Sequence, residues 1–163
     1  MKSLLLSVLF LSVSFASLAQ ERKTYGQIYD TAADIEADIK NAVIQAQAEH
    51  KNVLLQIGGN WCIWCIRFHQ FVAKNDTLNQ FLYANFVPVL VNYDKKDSQS
   101  PIWKALGYPQ RFGFPVFVVL DETGHLIHIQ NSAYLEEADG YSTEKVFEFL
   151  KHWSPVAIQG KTL

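Results

Sequence analysis

The chain has 163 residues, with 14 Lys and Arg against 16 Asp and Glu and a formal net charge of −2 at pH 7. A near-neutral balance without a basic run gives no electrostatic footprint for nucleic acid, and 2 cysteines are too few for a fold stapled by disulfides. With 49% hydrophobic residues, a single domain of this length can bury a core unaided.

At the start, Lys2 precedes an apolar stretch over residues 4–18, and Ser17 and Ala19 are the small residues that a signal peptidase reads. Residues 1–19 are therefore read as a signal peptide cleaved before Gln20. A spanning helix needs about 20 apolar residues, and the polar run Gln20-Glu21-Arg22-Lys23 arrives too early for one. No cysteine stands at the cleavage point, so a lipid anchor is not indicated. The expectation is an exported protein, periplasmic or secreted, with residues 20–163 forming one domain and no stable membrane insertion after cleavage.

Along that domain the hydrophobic period alternates. Asp30 or Thr31 can cap a helix in which Ile35, Ile39, Val43 and Ala46 recur at helical spacing, ending near residues 49–52. Residues 53–57 are apolar almost without alternation and read as a strand buried on both faces. Residues 66–73 and 76–83 read as helices, and residues 86–93 as a second strand whose Pro88 needs a position not used for pairing.

After a polar loop, residues 101–106 form a short helix closed by Gly107. Residues 115–120 and 125–130 are strands joined by the turn Asp121-Glu122-Thr123-Gly124. Ser142 or Thr143 caps a last helix with Val146, Phe149, Leu150 and Trp153 on one face, stopped at Ser154-Pro155. Beyond about residue 154 the tail reads as irregular.

Both cysteines lie in Gly58-Gly59-Asn60-Trp61-Cys62-Ile63-Trp64-Cys65, between the first strand and a helical pattern. Helix N-terminal N–H groups and the helix dipole favour a thiolate there. The dipole contributes about 0.3–1 kcal/mol, up to about 2 when partly buried, and so lowers a thiol by roughly one unit from about 8.5. A disulfide closing so short a loop constrains the unfolded chain little, which points to redox chemistry over a structural staple.

The order of elements, with Trp61-Cys62-Ile63-Trp64-Cys65 and with Gly113-Phe114-Pro115 opening a later strand, resembles the thioredoxin-like superfamily over residues 30–153. With Phe86-Val87-Pro88-Val89 it is most similar to exported bacterial members related to periplasmic disulfide reductases. The resemblance implies an α/β thioredoxin fold, a central mixed sheet with helices on both faces. It implies a cis bond before Pro115, lying against the dithiol, with Cys62 as exposed nucleophile and Cys65 as the buried thiol that resolves the mixed disulfide. The function implied is thiol–disulfide oxidoreductase, a reductase or isomerase of protein disulfides. It needs no cofactor beyond the Cys62/Cys65 pair, acts as a monomer on disulfide-containing proteins, and requires a redox partner that recycles it.

Three features depart from that pattern. Gln56 stands where many thioredoxins carry a buried aspartate, and an amide cannot accept the Cys65 proton. The apolar pair Ile63-Trp64 supplies no cation to hold a very low thiolate pKa, which favours a reductant over an oxidant. Phe114, with Trp61, Trp64 and Phe112, would form an apolar lip suited to unfolded protein clients. Arg67 either adds positive potential near the thiols or is a solvated helix residue. The alternative reading is a redox-silent binding protein or metal chaperone. His69 lies one turn beyond Cys65, but a structural zinc site needs four ligands and no second Cys/His pair exists; no metal is assigned.

Overall fold

The structure is a computed structural model that describes residues 25–160; the signal-peptide and cleavage expectations lie outside the described residues. Helix α1 (Ile35–Glu49) leads into strand β1 (Asn52–Gly58), followed by α2 (Ile63–Lys74), α3 (Asp76–Asn85) and β2 (Phe86–Asn92). A short α4 (Pro101–Ala105) precedes β3 (Val116–Leu120) and β4 (Leu126–Asn131). The chain continues through the small strands β5 (Glu136–Glu137) and β6 (Gly140–Tyr141) to α5 (Thr143–His152) and α6 (Pro155–Ile158).

The main sheet has the order β2-β1-β3-β4, with β1 parallel to β2 and antiparallel to β3, and β3 antiparallel to β4. Strand β1 is buried at every position, as an unalternating apolar run requires when both faces are covered. Its side chains divide between two cores with period two. Val53, Leu55 and Ile57 join Val116, Val118 and Trp103 on the α1 side. Leu54 joins Phe117, Phe68 and Phe149 on the side of α2, α3 and α5. Pro88 pairs opposite Leu54, and β2 tolerates it as an edge strand with one free flank.

The first helix starts later than the spacing predicts. Asp30 does bind a backbone amide, but that of Ala32, making a local turn. Asp34 supplies the cap, its Oδ1 accepting from Ala37 N at 3.1 Å. His125 belongs to the turn and not the strand: Asp121 Oδ1 accepts from the backbone N of both Thr123 and His125 at 2.9 Å.

One element has no counterpart in the sequence reading and another runs against it. Residues 136–141, to which the pattern assigns no element, form the β5–β6 hairpin, which carries the buried Tyr141 under α2. Pro155, expected to stop the chain's last helix, opens α6, so the tail is not irregular from residue 154. Ser154 Oγ accepts from Ala157 N at its start, in keeping with proline's tolerance of the first helical turn. No helix among the described residues is long and apolar enough to cross a membrane.

The packing gives a quantitative expectation. Leu55 on β1 is fully buried on the α1 side of the sheet, whereas Ile44 on α1 is 58% exposed. Leu55→Ala should lower unfolding free energy by about 2–5 kcal/mol, and Ile44→Ala by less than about 0.5 kcal/mol. Urea unfolding followed by tryptophan fluorescence reads both.

Candidate active site

Helix α2 begins one residue after Cys62, which is its N-cap. The Cys62 Sγ accepts from Cys65 N at 3.2 Å, so a sulfur does the capping that Ser or Asp usually does. The two cysteines form a disulfide with Cα atoms 5.3 Å apart. Cys65 is fully buried and Cys62 is 7% exposed. The order of accessibility is as the sequence predicts, but Cys62 is only grazed by solvent in the oxidised protein, because the rings around it cover most of the sulfur.

Beneath the disulfide, β1 presents Leu54, Gln56 and Gly58 to α2 in turn. Gly58 is dictated by contact: a Cβ there would collide with Cys65 Sγ and stand 3.0 Å from the hydroxyl of Tyr29. Gln56 does face Cys65, though not its sulfur. Its Nε2 donates to the Cys65 carbonyl oxygen at 3.0 Å and to Tyr29 Oη at 2.8 Å. Burial pushes the Tyr29 phenol well above its ordinary pKa, partly offset by the Gln56 hydrogen bond.

Asn60 ties this floor to the segment that precedes α1. Its Oδ1 accepts from Ile28 N and Tyr29 N at 2.9 Å each, and its Nδ2 donates to Tyr29 O at 2.9 Å. A buried amide satisfied on both sides fixes its neighbours closely. Tyr29 is thereby held against Cys62 and Cys65 in one apolar cluster.

The rim is aromatic. The peptide bond between Phe114 and Pro115 is cis. The Phe114 ring meets Trp61 edge-on at 5.2 Å and Tyr93 at 4.8 Å, and packs against both the dithiol cluster and the α1-side core. It is half-buried, a wall as much as a lip. Trp64 packs edge-on to Tyr141 at 5.8 Å, and the Tyr141 hydroxyl donates to Trp64 O at 3.1 Å. The Arg67 guanidinium stacks over Trp64 at 4.9 Å, so its charge is spent on the indole face. Phe112 is 39% exposed with Arg111 over its ring at 4.3 Å, outside the three apolar clusters. Beside Trp61 and Asn60 opens a cleft of about 570 Å³ whose far wall includes Tyr93 and Asp94.

Residues 34–122, more than half of the chain, match the family described as thioredoxin-like. The chain belongs to the thioredoxin-like family. Among solved structures it is similar to a protein described as a disulphide isomerase from Xylella fastidiosa Temecula1, at 24% identity over 78% of this chain and 97% of that one, with a TM-score of 0.68. It is also similar to the oxidised C-terminal domain of Neisseria meningitidis DsbD, at 17% identity over 78% and 99%, with a TM-score of 0.48. The former likeness establishes the fold. No curated protein matches the chain.

Within this thioredoxin-like site the structure brings together Trp61, Cys62, Trp64, Cys65, Gln56 and Phe114, with the cis Pro115 following Phe114. It separates Phe112 from the aromatic clusters. His69 lines a second cavity, of about 170 Å³, with Gln56, Val72 and Leu90. Among the described residues no group of three or more His, Cys, Asp or Glu side chains could hold a metal ion. Tyr29, Asn60, Tyr93 and Tyr141 were not anticipated. The signals for them are faint: an aromatic in an aperiodic segment for Tyr29, and an amide between a glycine and the motif for Asn60.

Asn60→Ala removes the partners of two amides and one carbonyl at Ile28 and Tyr29. It should destabilise the protein by about 1–3 kcal/mol. Hydrogen exchange at the Ile28 and Tyr29 amides should accelerate more than exchange in β3; equal acceleration in both would show that Asn60 acts on global stability alone.

Proposed function

We propose that the protein is a thiol–disulfide oxidoreductase that reduces or isomerises disulfides of exported proteins through Cys62 and Cys65. The observation that carries this reading is the asymmetry of the pair. Cys62 caps a helix and is the cysteine that solvent reaches, while Cys65 is sealed behind it. In the reduced protein the same cap position sets N–H groups and the helix dipole against the Cys62 thiolate.

The reaction proceeds in two displacements. Cys62 thiolate attacks one sulfur of the client disulfide, forming a mixed disulfide and releasing the other client sulfur as a thiolate. Cys65, deprotonated, then attacks Cys62 Sγ; the client leaves with both sulfurs reduced and the protein keeps the Cys62–Cys65 disulfide. The backbone at Phe114, beside the dithiol and ahead of the cis proline, is the place for an extended client segment to pair, and Trp61 and Trp64 offer apolar contact. A redox partner returns the dithiol state; no further cofactor is assigned. Arg67, engaged with Trp64, does not supply the cation that a strong oxidant would use, which supports the reducing direction. Export rests on the leader-like residues 1–19, with a monomer in the periplasm or outside the cell as the working form.

Trapping tests the roles. Cys65→Ser incubated with a disulfide-bonded protein should accumulate a mixed disulfide through Cys62, visible as a reductant-sensitive band on a non-reducing gel. Cys62→Ser should accumulate less than about a tenth as much, since Cys65 is sealed from a macromolecular client. Equal trapping by both variants would reverse the assignment, and no trapping with reduced, folded protein would sink the oxidoreductase reading.

A further inference from the structure

The floor beneath the disulfide holds a hydroxyl that the two displacements do not use. Tyr29 is 4% exposed and packs with Cys62 and Cys65. Its Oη and Cys65 Sγ are the two side-chain groups that converge on the point where a Gly58 Cβ would stand, the hydroxyl at 3.0 Å.

The direction of its hydrogen follows from its neighbours. Gln56 meets the Cys65 carbonyl oxygen, which can only accept, so the amide atom there is the nitrogen. That nitrogen has two hydrogens, and the second goes to Tyr29 Oη at 2.8 Å. At this contact the hydroxyl accepts. Among the described residues it makes no other hydrogen bond, which leaves its own proton to donate.

We propose that in the reduced protein the Tyr29 hydroxyl donates a hydrogen bond to Cys65 Sγ and so holds the Cys65 thiolate for the second displacement, a task for which Gln56 has no N–H left. This rests on the oxidoreductase reading of the dithiol. The step balances without a further oxidant: Cys65 gives its proton to water, its thiolate forms the bond to Cys62 Sγ as the bond from Cys62 to the client breaks, and the client thiolate takes up a proton. Tyr29 begins and ends as a neutral phenol. Its burial keeps it protonated far above neutral pH, which suits a donor and disqualifies it as a base.

The ionisable groups around the pair come from four directions. Cys62 caps α2 and Arg67 and His69 lie on it, Tyr141 is on β6, Asp30 beside Tyr29 in the chain, and Tyr93 and Asp94 across the cleft. Arg67 is stacked on Trp64, and Asp30 is exposed and bonded to Ala32 N. The Tyr29 shift has burial and Gln56 as its causes, with no charged neighbour among them.

The test titrates Cys65 alone. In Cys62→Ser, thiolate absorbance is followed against pH with and without Tyr29→Phe, which deletes the hydroxyl and keeps the ring. The midpoint should move up by about one pH unit, the worth of a hydrogen bond to a charged group, while circular dichroism is unchanged. An unmoved midpoint in the folded variant overturns the proposal. Should Tyr29→Phe fail to fold, 3-fluorotyrosine at position 29 keeps the shape and makes the hydroxyl a stronger donor; the midpoint should then fall, and a static midpoint again overturns the proposal. The readout is a titration and not a turnover. A wild-type protein that reduces no protein disulfide, while the midpoint still moves with Tyr29, counts against the oxidoreductase reading and leaves the hydrogen bond supported.

Discussion

The close approach of the end of β1 to the first turn of α2 governs the site. No Cβ fits between Gly58 and Cys65 Sγ, so strand and helix meet at backbone distance there. The consequences run outward from that contact. Cys65 is enclosed by the strand below and by its own helix above, whereas Cys62, one turn earlier, is left at the margin. Interior packing does not yield easily to an added methyl group, so the asymmetry of the two sulfurs is built into the main chain and needs no special side chain to enforce it.

A neutral floor fits this geometry. A carboxylate in the place of Gln56 would face the Cys65 carbonyl oxygen, a repulsion that an amide nitrogen turns into a hydrogen bond. Burying an unpaired charge is far costlier than burying a paired amide. The chain therefore gives up a buried acid and surrounds the sulfurs with rings: Tyr29 below, Trp61 and Phe114 at one side, Trp64 and Tyr141 at the other. Apolar surroundings raise the energy of any thiolate, and the dipole and cap at Cys62 oppose that at one sulfur only.

Much of this was legible in the sequence because it is local. The nearly unbroken apolar run of β1 and the unbroken one of β3 announced buried strands, and two cysteines spaced for one helical turn after such a strand announced their own placement. The start of α1 was misread because Asp30 and Asp34 are equally good caps on paper; only the chain's path decides that Asp30 closes a turn on Ala32 and Asp34 begins the helix. Tyr141 was hidden in a run, Glu136 to Gly140, that has loop composition. Tyr29 and Asn60 were out of reach for another reason: their hydrogen bonds span 27 to 32 residues, and no periodicity encodes a partner at that distance.

Cys62 is at once a reacting atom and the cap of α2, and this joins two equilibria that are usually kept apart. A thiolate accepts a hydrogen bond more strongly than a disulfide sulfur does, so reduction tightens the first turn of the helix while it opens the ring between the cysteines. Folding and electron transfer then share a thermodynamic cycle. Whatever makes the capped, reduced fold more stable than the closed, oxidised one makes the protein a weaker electron donor, at about 30 mV for each 1.4 kcal/mol in a two-electron couple. Helix propensity at Ile63 and packing at Trp64 are thus redox variables, and the chain can be retuned as an electron donor by substitutions that never touch sulfur.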